Sequence, residues 1–249
     1  MKALITGGSS GIGKDIAIEL GKKGYDLYII SRKYGDIDQI KEKVKTEVNF
    51  LSFDLSREEE CFRLLDETKD IDFDIFINNA GFGDIGYILK TDTSKQINMI
   101  KLNDLSSFIL GKEFLKRFIN KNKGYILFVA SAAAFGVAPY MAEYYASKAF
   151  VYSLAHGYYR EVKDMHKDVH ISVLCPGPVK TRFEEKSGAK FNVSSLKSEY
   201  VAKYAVKKMF KNKLEIVPGI KIKLAHVFAH IVPKKFISKV LRKQSEIKD

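Results

Sequence analysis

Short uncharged runs rich in β-branched and aromatic residues recur along the chain, and they leave few folds open. Ala3–Thr6, Leu27–Ile30, Asn49–Phe53, Ile75–Asn78, Tyr125–Val129 and Ile171–Leu174 read as strands, and the segments between them carry helical spacing. A strand with no charge on either face is covered on both, as central parallel strands are. Alternation of such strands with helices predicts an α/β fold: a doubly wound parallel sheet with helices on both faces and right-handed crossovers. A seventh run, Leu214–Val217, precedes Pro218-Gly219 and is expected at the sheet edge, giving about seven strands. No repeat or low-complexity linker divides the chain, so residues 1–218 are expected to form a single domain, with 219–249 as a basic amphipathic appendage.

Composition narrows the function classes. Among 249 residues, 46% are hydrophobic and 12% aromatic, which excludes disordered, collagenous and coiled-coil chains. Cys61 and Cys175 lie far apart without metal-ligand spacing, so neither a disulfide framework nor a metal site is expected. The opening run breaks into glycines too early for a secretory signal, and the expected compartment is the cytoplasm. Gly124–Ala142 is uncharged and about as long as a membrane span, but Ser131, Gly136 and Pro139 interrupt it, which suits a buried strand and a loop. The net charge of +12 is uneven: residues 203–249 hold 13 Lys+Arg against 3 Asp+Glu, leaving 29 against 27 in residues 1–202. A nearly neutral body without a recognisable module argues against nucleic-acid binding.

Directly after the first strand stands Thr6-Gly7-Gly8-Ser9-Ser10-Gly11-Ile12-Gly13, followed by an apolar-periodic helix through Ile16, Ala17 and Leu20. Glycines there let main chain approach a pyrophosphate, and the helix start offers free N–H groups and a positive dipole end. A dinucleotide site is therefore expected. Cofactor choice is set at the end of the second strand, which reads Ile30-Ser31-Arg32-Lys33. A hydroxyl and two cations suit a 2′-phosphate, so NADP(H) is expected over NAD(H). A loop excursion that brought Asp36 to the site would reverse that preference.

Tyr144 and Lys148 are four residues apart in a helix-compatible segment and share a face. A phenol near an ammonium can serve as general acid for a carbonyl and as base in reverse, provided the cation outweighs burial. Ser131 ends the preceding strand, thirteen residues before Tyr144. Asn78-Asn79-Ala80-Gly81 ends the fourth strand, and Pro176-Gly177-Pro178-Val179-Lys180-Thr181 ends the sixth. All fall at C-terminal strand ends, the edge where open α/β sheets bind ligands.

Together these motifs resemble the short-chain dehydrogenase/reductase family, in the branch with a TGxxxGxG turn and a YxxxK site, over residues 1 to about 217. The resemblance implies a Rossmann-type fold and a hydride transfer between nicotinamide and a carbonyl or secondary alcohol. It implies that Gly7, Ser9, Ser10, Gly11, Ile12 and Gly13 hold the pyrophosphate, with Asp54-Leu55 near the adenine and Asn79, Ala80 and Gly81 beside the adenosine ribose. It assigns Ser131 to polarise the carbonyl, Tyr144 to transfer the proton and Lys148 to bind the nicotinamide ribose. Asn103 would hold a water in a proton relay, and Pro176, Gly177, Val179 and Thr181 would border the nicotinamide carboxamide. A homodimer or homotetramer is implied, through the helices following Asn103 and Tyr144.

On the substrate side, 182–200 is expected to be a loop-like lid containing Phe183, Gly188 and Phe191. Phe82, Phe135, Tyr140, Met141 and Phe183 are candidates for an apolar pocket. In the tail, Leu224, Val227, Phe228 and Ile231, then Phe236, Ile237, Val240 and Leu241, recur at helical spacing against lysines. Such helices are expected to dock on their own domain with cations outward, or to lie on a membrane or a partner. His226 and His230 are expected to be packing residues. Two rival functions remain beside the enzyme: a membrane- or partner-associated nucleotide-binding protein, and a nucleotide-sugar epimerase. The intact Ser131, Tyr144 and Lys148 disfavour the first, and the short glycine turn and small room after residue 181 disfavour the second.

Overall fold

Seven short strands, each with an almost wholly apolar interior, line up in parallel in the computed structural model, which describes residues 1–181 and 195–244. In chain order the first part runs β1 (Lys2–Thr6), α1 (Gly11–Gly21), β2 (Asp26–Ser31), α2 (Ile37–Lys43), β3 (Val48–Ser52), α3 (Glu58–Glu67) and β4 (Ile75–Asn78). Then come α4 (Thr93–Ile100), a π-helical turn (Lys101–Leu105), α5 (Ser106–Lys121), β5 (Gly124–Val129), α6 (Ala142–Asp164) and β6 (Val169–Leu174). A small parallel pair, β7 (Val179–Lys180) and β8 (Leu196–Lys197), precedes α7 (Ser198–Met209) and the last sheet strand, β9 (Glu215–Ile216). Two tail helices, α8 (Ile220–Ile231) and α9 (Lys234–Gln244), follow. The sheet order is β3-β2-β1-β4-β5-β6-β9, so the chain reverses direction across the sheet between β1 and β4.

The uncharged strand pattern has the expected consequence of a core on each face. Ile5, Ile16, Leu20, Ile29 and Ile77 are fully buried beneath α1 on one side; Leu4, Phe76, Phe114, Ile126 and Phe128 are fully buried beneath α5 on the other. Phe76 and Phe114 stack at 4.2 Å, fixing α5 on β4. All seven expected strands form, with ends shifted by one or two residues; Phe53 falls just past β3, and the edge strand shrinks to Glu215–Ile216. Within the stretch expected to be loop through residue 200, β8 occupies Leu196–Lys197 and α7 begins at Ser198. Residues 182–194, including Phe183, Gly188 and Phe191, lie outside the described residues. No helix among the described residues is long and apolar enough to cross a membrane.

Candidate active site

The C-terminal strand ends open into one continuous cleft of about 2130 Å³, located where the strand order reverses. On its cofactor side lies the glycine turn. Gly7 has φ +64°, and a Cβ there would come within 2.9 Å of the Ala80 backbone. A side chain at Gly13 would collide with Asn79 Nδ2 and the Gly7 carbonyl. Ser10 makes no side-chain cap on α1, so the first-turn N–H groups at Gly11, Ile12 and Gly13 are left for an external acceptor at the cleft wall. Those features fit a pyrophosphate.

The NNAG element ties this turn to the sheet. Asn79 Nδ2 donates to the carbonyls of Thr6 (2.9 Å) and Gly7 (3.1 Å), while the N–H groups of Asn79 and Ala80 donate to Thr6 Oγ1. Asn78 Nδ2 reaches the Ser107 carbonyl at 2.9 Å and anchors α5. At the far end, Ser31 Oγ donates to the Lys33 carbonyl, and Arg32 and Lys33 stand exposed at the cleft rim. Asp54 and Leu55, expected near an adenine, line the cleft, and the Asp54 carboxylate accepts from the Ser56 hydroxyl at 2.7 Å. The loop after β2 does turn toward the cradle: Asp36 N donates to the Ser9 carbonyl at 2.9 Å. Its carboxylate, however, is bridged to Lys14 Nζ at 3.3 Å.

On the reaction side, Ser131, Tyr144 and Lys148 converge on the cleft. The Ser131 side chain acts on the Tyr144 phenol and favours its charged form, and Lys148 Nζ lies 5.9 Å from the centre of the Tyr144 ring. Lys148 Nζ also donates to the Val129 carbonyl at 3.2 Å. Asn103 sits on the π-helical turn, fully buried, and its amide is completely used. It accepts from Phe82 N (3.0 Å) and donates to the Phe82 carbonyl (2.9 Å) and to Ser147 Oγ (2.9 Å). Asn103 therefore fixes the loop after Gly81 against α6. Pro176, Gly177, Val179 and Thr181 close the cleft opposite Gly11, where the Thr181 side chain lies beside the glycine.

Electrostatics differ from the sequence expectation. Burial pushes the Tyr144 phenol up to about 12, with the Ser131 side chain opposing, so burial governs the phenol in the protein alone. Burial likewise brings the Lys148 ammonium down to about 8, with the Asp104 carboxylate opposing. Asp104 is a residue the sequence reading missed. Its Oδ1 is buried without a hydrogen-bond partner, and desolvation raises its carboxyl to about 6 against the lowering field of Lys148. Ser147 and Thr6 were missed too; each is a buried hydroxyl that links two motifs. The available signal was a polar residue in an otherwise apolar stretch between recognised motif positions.

Of the proposed pocket residues, Phe82, Phe135 and Met141 line the cleft. Tyr140 does not: it packs edge-on against Tyr87 at 5.0 Å, with its carbonyl accepting from Gly86 N. The tail adds to the apolar wall through Ile222, Ala225, Ala229, Ile237 and Leu241. The tail helices pack by a different face from the one their spacing suggests for α8. Leu224, Val227, Phe228 and Ile231 are exposed, while His226 stacks on Phe135 at 3.9 Å. The side chain of His230 is outside the description, and no group of three metal-binding side chains occurs among the described residues.

Comparison with known proteins agrees with this geometry. The very-long-chain 3-oxoacyl-CoA reductase of Neurospora crassa is 31% identical over 180 residues, covering 69% of this chain and 54% of that protein. The chain thus spans about half the length of that curated relative. A short-chain dehydrogenase from Sphingobium yanoikuyae in complex with NADPH superposes with a TM-score of 0.83 at 22% identity, covering 100% of this chain and 98% of that one. One from Burkholderia phymatum in complex with NAD gives 0.83 at 20% identity, covering 100% and 97%. The family model described as short chain dehydrogenase matches from the first residue through residue 192, the region that builds most of the sheet and cleft, and the chain belongs to that family.

Proposed function

We propose that this protein is an NADP(H)-dependent oxidoreductase that interconverts an apolar carbonyl compound and its secondary alcohol. The observation that carries this reading is the meeting of Ser131, Tyr144 and Lys148 in the same cleft as the uncapped start of α1. The bound nicotinamide would supply or accept the hydride. Ser131 donates toward the substrate oxygen, and Tyr144 delivers a proton to that oxygen in reduction or removes it in oxidation. Lys148, held by the Val129 carbonyl, keeps a cation beside the phenol. Asn103 acts on position, by clamping the Phe82 backbone and Ser147.

Preference for the 2′-phosphate is supported by Arg32 and Lys33, whose side chains make no hydrogen bond or ion pair among the described residues. Asp36, the residue able to reverse the preference, has its charge offset by Lys14. Arg–phosphate bonding is among the stronger charge-assisted contacts, and an introduced carboxylate repels the phosphate as well. Arg32→Asp is therefore expected to weaken NADPH about a hundredfold and NADH only slightly. Equal losses for both cofactors in fluorescence titration would mean that Arg32 does not read the 2′-phosphate. Phe82, Phe135 and Met141 together with the tail's Ile222 and Leu241 support an apolar substrate, and a ketone panel followed by NADPH oxidation tests it.

A homo-oligomer is supported by an apolar strip on α4, α5 and α6, where Ile97, Ile100, Phe108 and Phe150 are 37% to 47% exposed. Light scattering that returns a monomer at assay concentrations would overturn this assembly.

A further inference from the structure

The tail helices have two separately employed faces. Their inner faces close the cleft: Ile222 packs over Gly177, and Ile237 and Leu241 pack over Gly136. Lys234 Nζ donates to the Phe135 carbonyl at 3.0 Å. The outer face of α8 is a stripe of Leu224, Val227, Phe228 and Ile231, each between 55% and 77% exposed. At about 100° per residue these four fall within roughly a third of the helix circumference, and Lys221 and Lys223 fall on the two flanks. On α9, Phe236 and Val240 are 60% and 57% exposed, bordered by Lys235, Lys239 and Arg242. Residues 216–245 contain seven Lys+Arg and no Asp or Glu.

We propose that the outer faces of α8 and α9 dock the protein on an anionic lipid surface. Large apolar side chains exposed along two adjacent helices are unusual on a monomer and mark a contact surface. The acid-free border of lysines selects the occupant. Cations flanking an apolar stripe can extend their stems past it and place their charges among lipid phosphates. A second copy applying the same face would bring like charges together. α8 has 12 residues and is about 18 Å long, too short for a hydrocarbon core of about 30 Å, so it lies in the interface plane. Because the inner faces of these helices line the cleft, docking would place the apolar pocket against its lipid source. That last consequence rests on the proposed redox activity, whereas the docking does not.

The test is co-sedimentation of the full chain with phosphatidylcholine vesicles, with and without phosphatidylserine. Sedimentation is expected with the anionic vesicles and should fall as salt rises. Each cation contributes about fivefold to partitioning, so Lys235→Glu/Lys239→Glu is expected to weaken it about thirtyfold or more. Leu224→Ser/Phe228→Ser is expected to abolish it at every salt concentration. Both variants lie outside the cleft and should retain NADPH-dependent turnover of a water-soluble ketone, or an unchanged melting curve if the redox reading fails. Wild-type protein that stays in the supernatant overturns the proposal. So does an apolar variant that binds normally, or one whose only effect is to split a vesicle-indifferent dimer into monomers.

Discussion

Tyr144→Phe is expected to cut NADPH-dependent carbonyl reduction about a thousandfold, a loss of roughly 4 kcal/mol of transition-state stabilisation, with cofactor binding nearly unchanged. The substitution removes one hydroxyl from a buried ring and leaves its packing beside Ser131 and Lys148 intact. Unchanged turnover would sink the mechanism. The pH dependence provides an independent check. Because burial pushes the phenol up to about 12, its acid form persists through neutral and mildly alkaline pH, and reduction should stay flat there. Oxidation needs the base form and should climb toward about tenfold per pH unit below the apparent pKa. Positive charge at the nicotinamide and Lys148 lowers that apparent value, but Lys148 itself loses its proton above about 8. An oxidation rate that does not vary between about pH 6 and about pH 9 would remove Tyr144 as the base.

The fold was legible because the information that sets it is local and repetitive. A central parallel strand such as Ile75–Asn78 must be apolar on both faces, so it announces itself without knowledge of its neighbours. The chemistry-bearing motifs were legible for a related reason, since each follows a strand and the topology carries all strand ends to one edge. What sequence could not show was how long-range packing redistributes electrostatics and faces. Whether Lys148 or burial governs Tyr144 depends on how much water the folded site admits, and spacing of four residues says nothing about that. Asp104 Oδ1 is buried without a hydrogen-bond partner in the folded site, which its place in the sequence does not reveal. In the tail, the longer apolar stripe of α8 pointed to the wrong docking face: shape at Phe135, Gly136 and Gly177 admits His226, Ile222 and Leu241 instead. Tyr140 was misassigned because its contact, Tyr87, is remote in sequence.

Gly13→Ala is expected to reduce affinity for either nicotinamide cofactor at least about a hundredfold and to lower stability by about 1–3 kcal/mol. The added methyl meets the Gly7 carbonyl at 2.5 Å and lies closer still to Asn79 Nδ2. Neither can yield cheaply. Asn79 Nδ2 is already bonded to the carbonyls of Thr6 and Gly7, and its backbone N–H is held by Thr6 Oγ1. Relief therefore requires α1 to move away from the ends of β1 and β4, which takes its first-turn N–H groups out of register with a pyrophosphate bridging turn and helix. Gly157→Ala provides the contrast, because its Cβ would enter open space on α6 and alanine favours helix. That variant should bind cofactor normally and melt no lower than wild type. If Gly13→Ala behaved in the same way under thermal melting and NADPH titration, the close approach of α1 to the NNAG element would not be what builds the cradle.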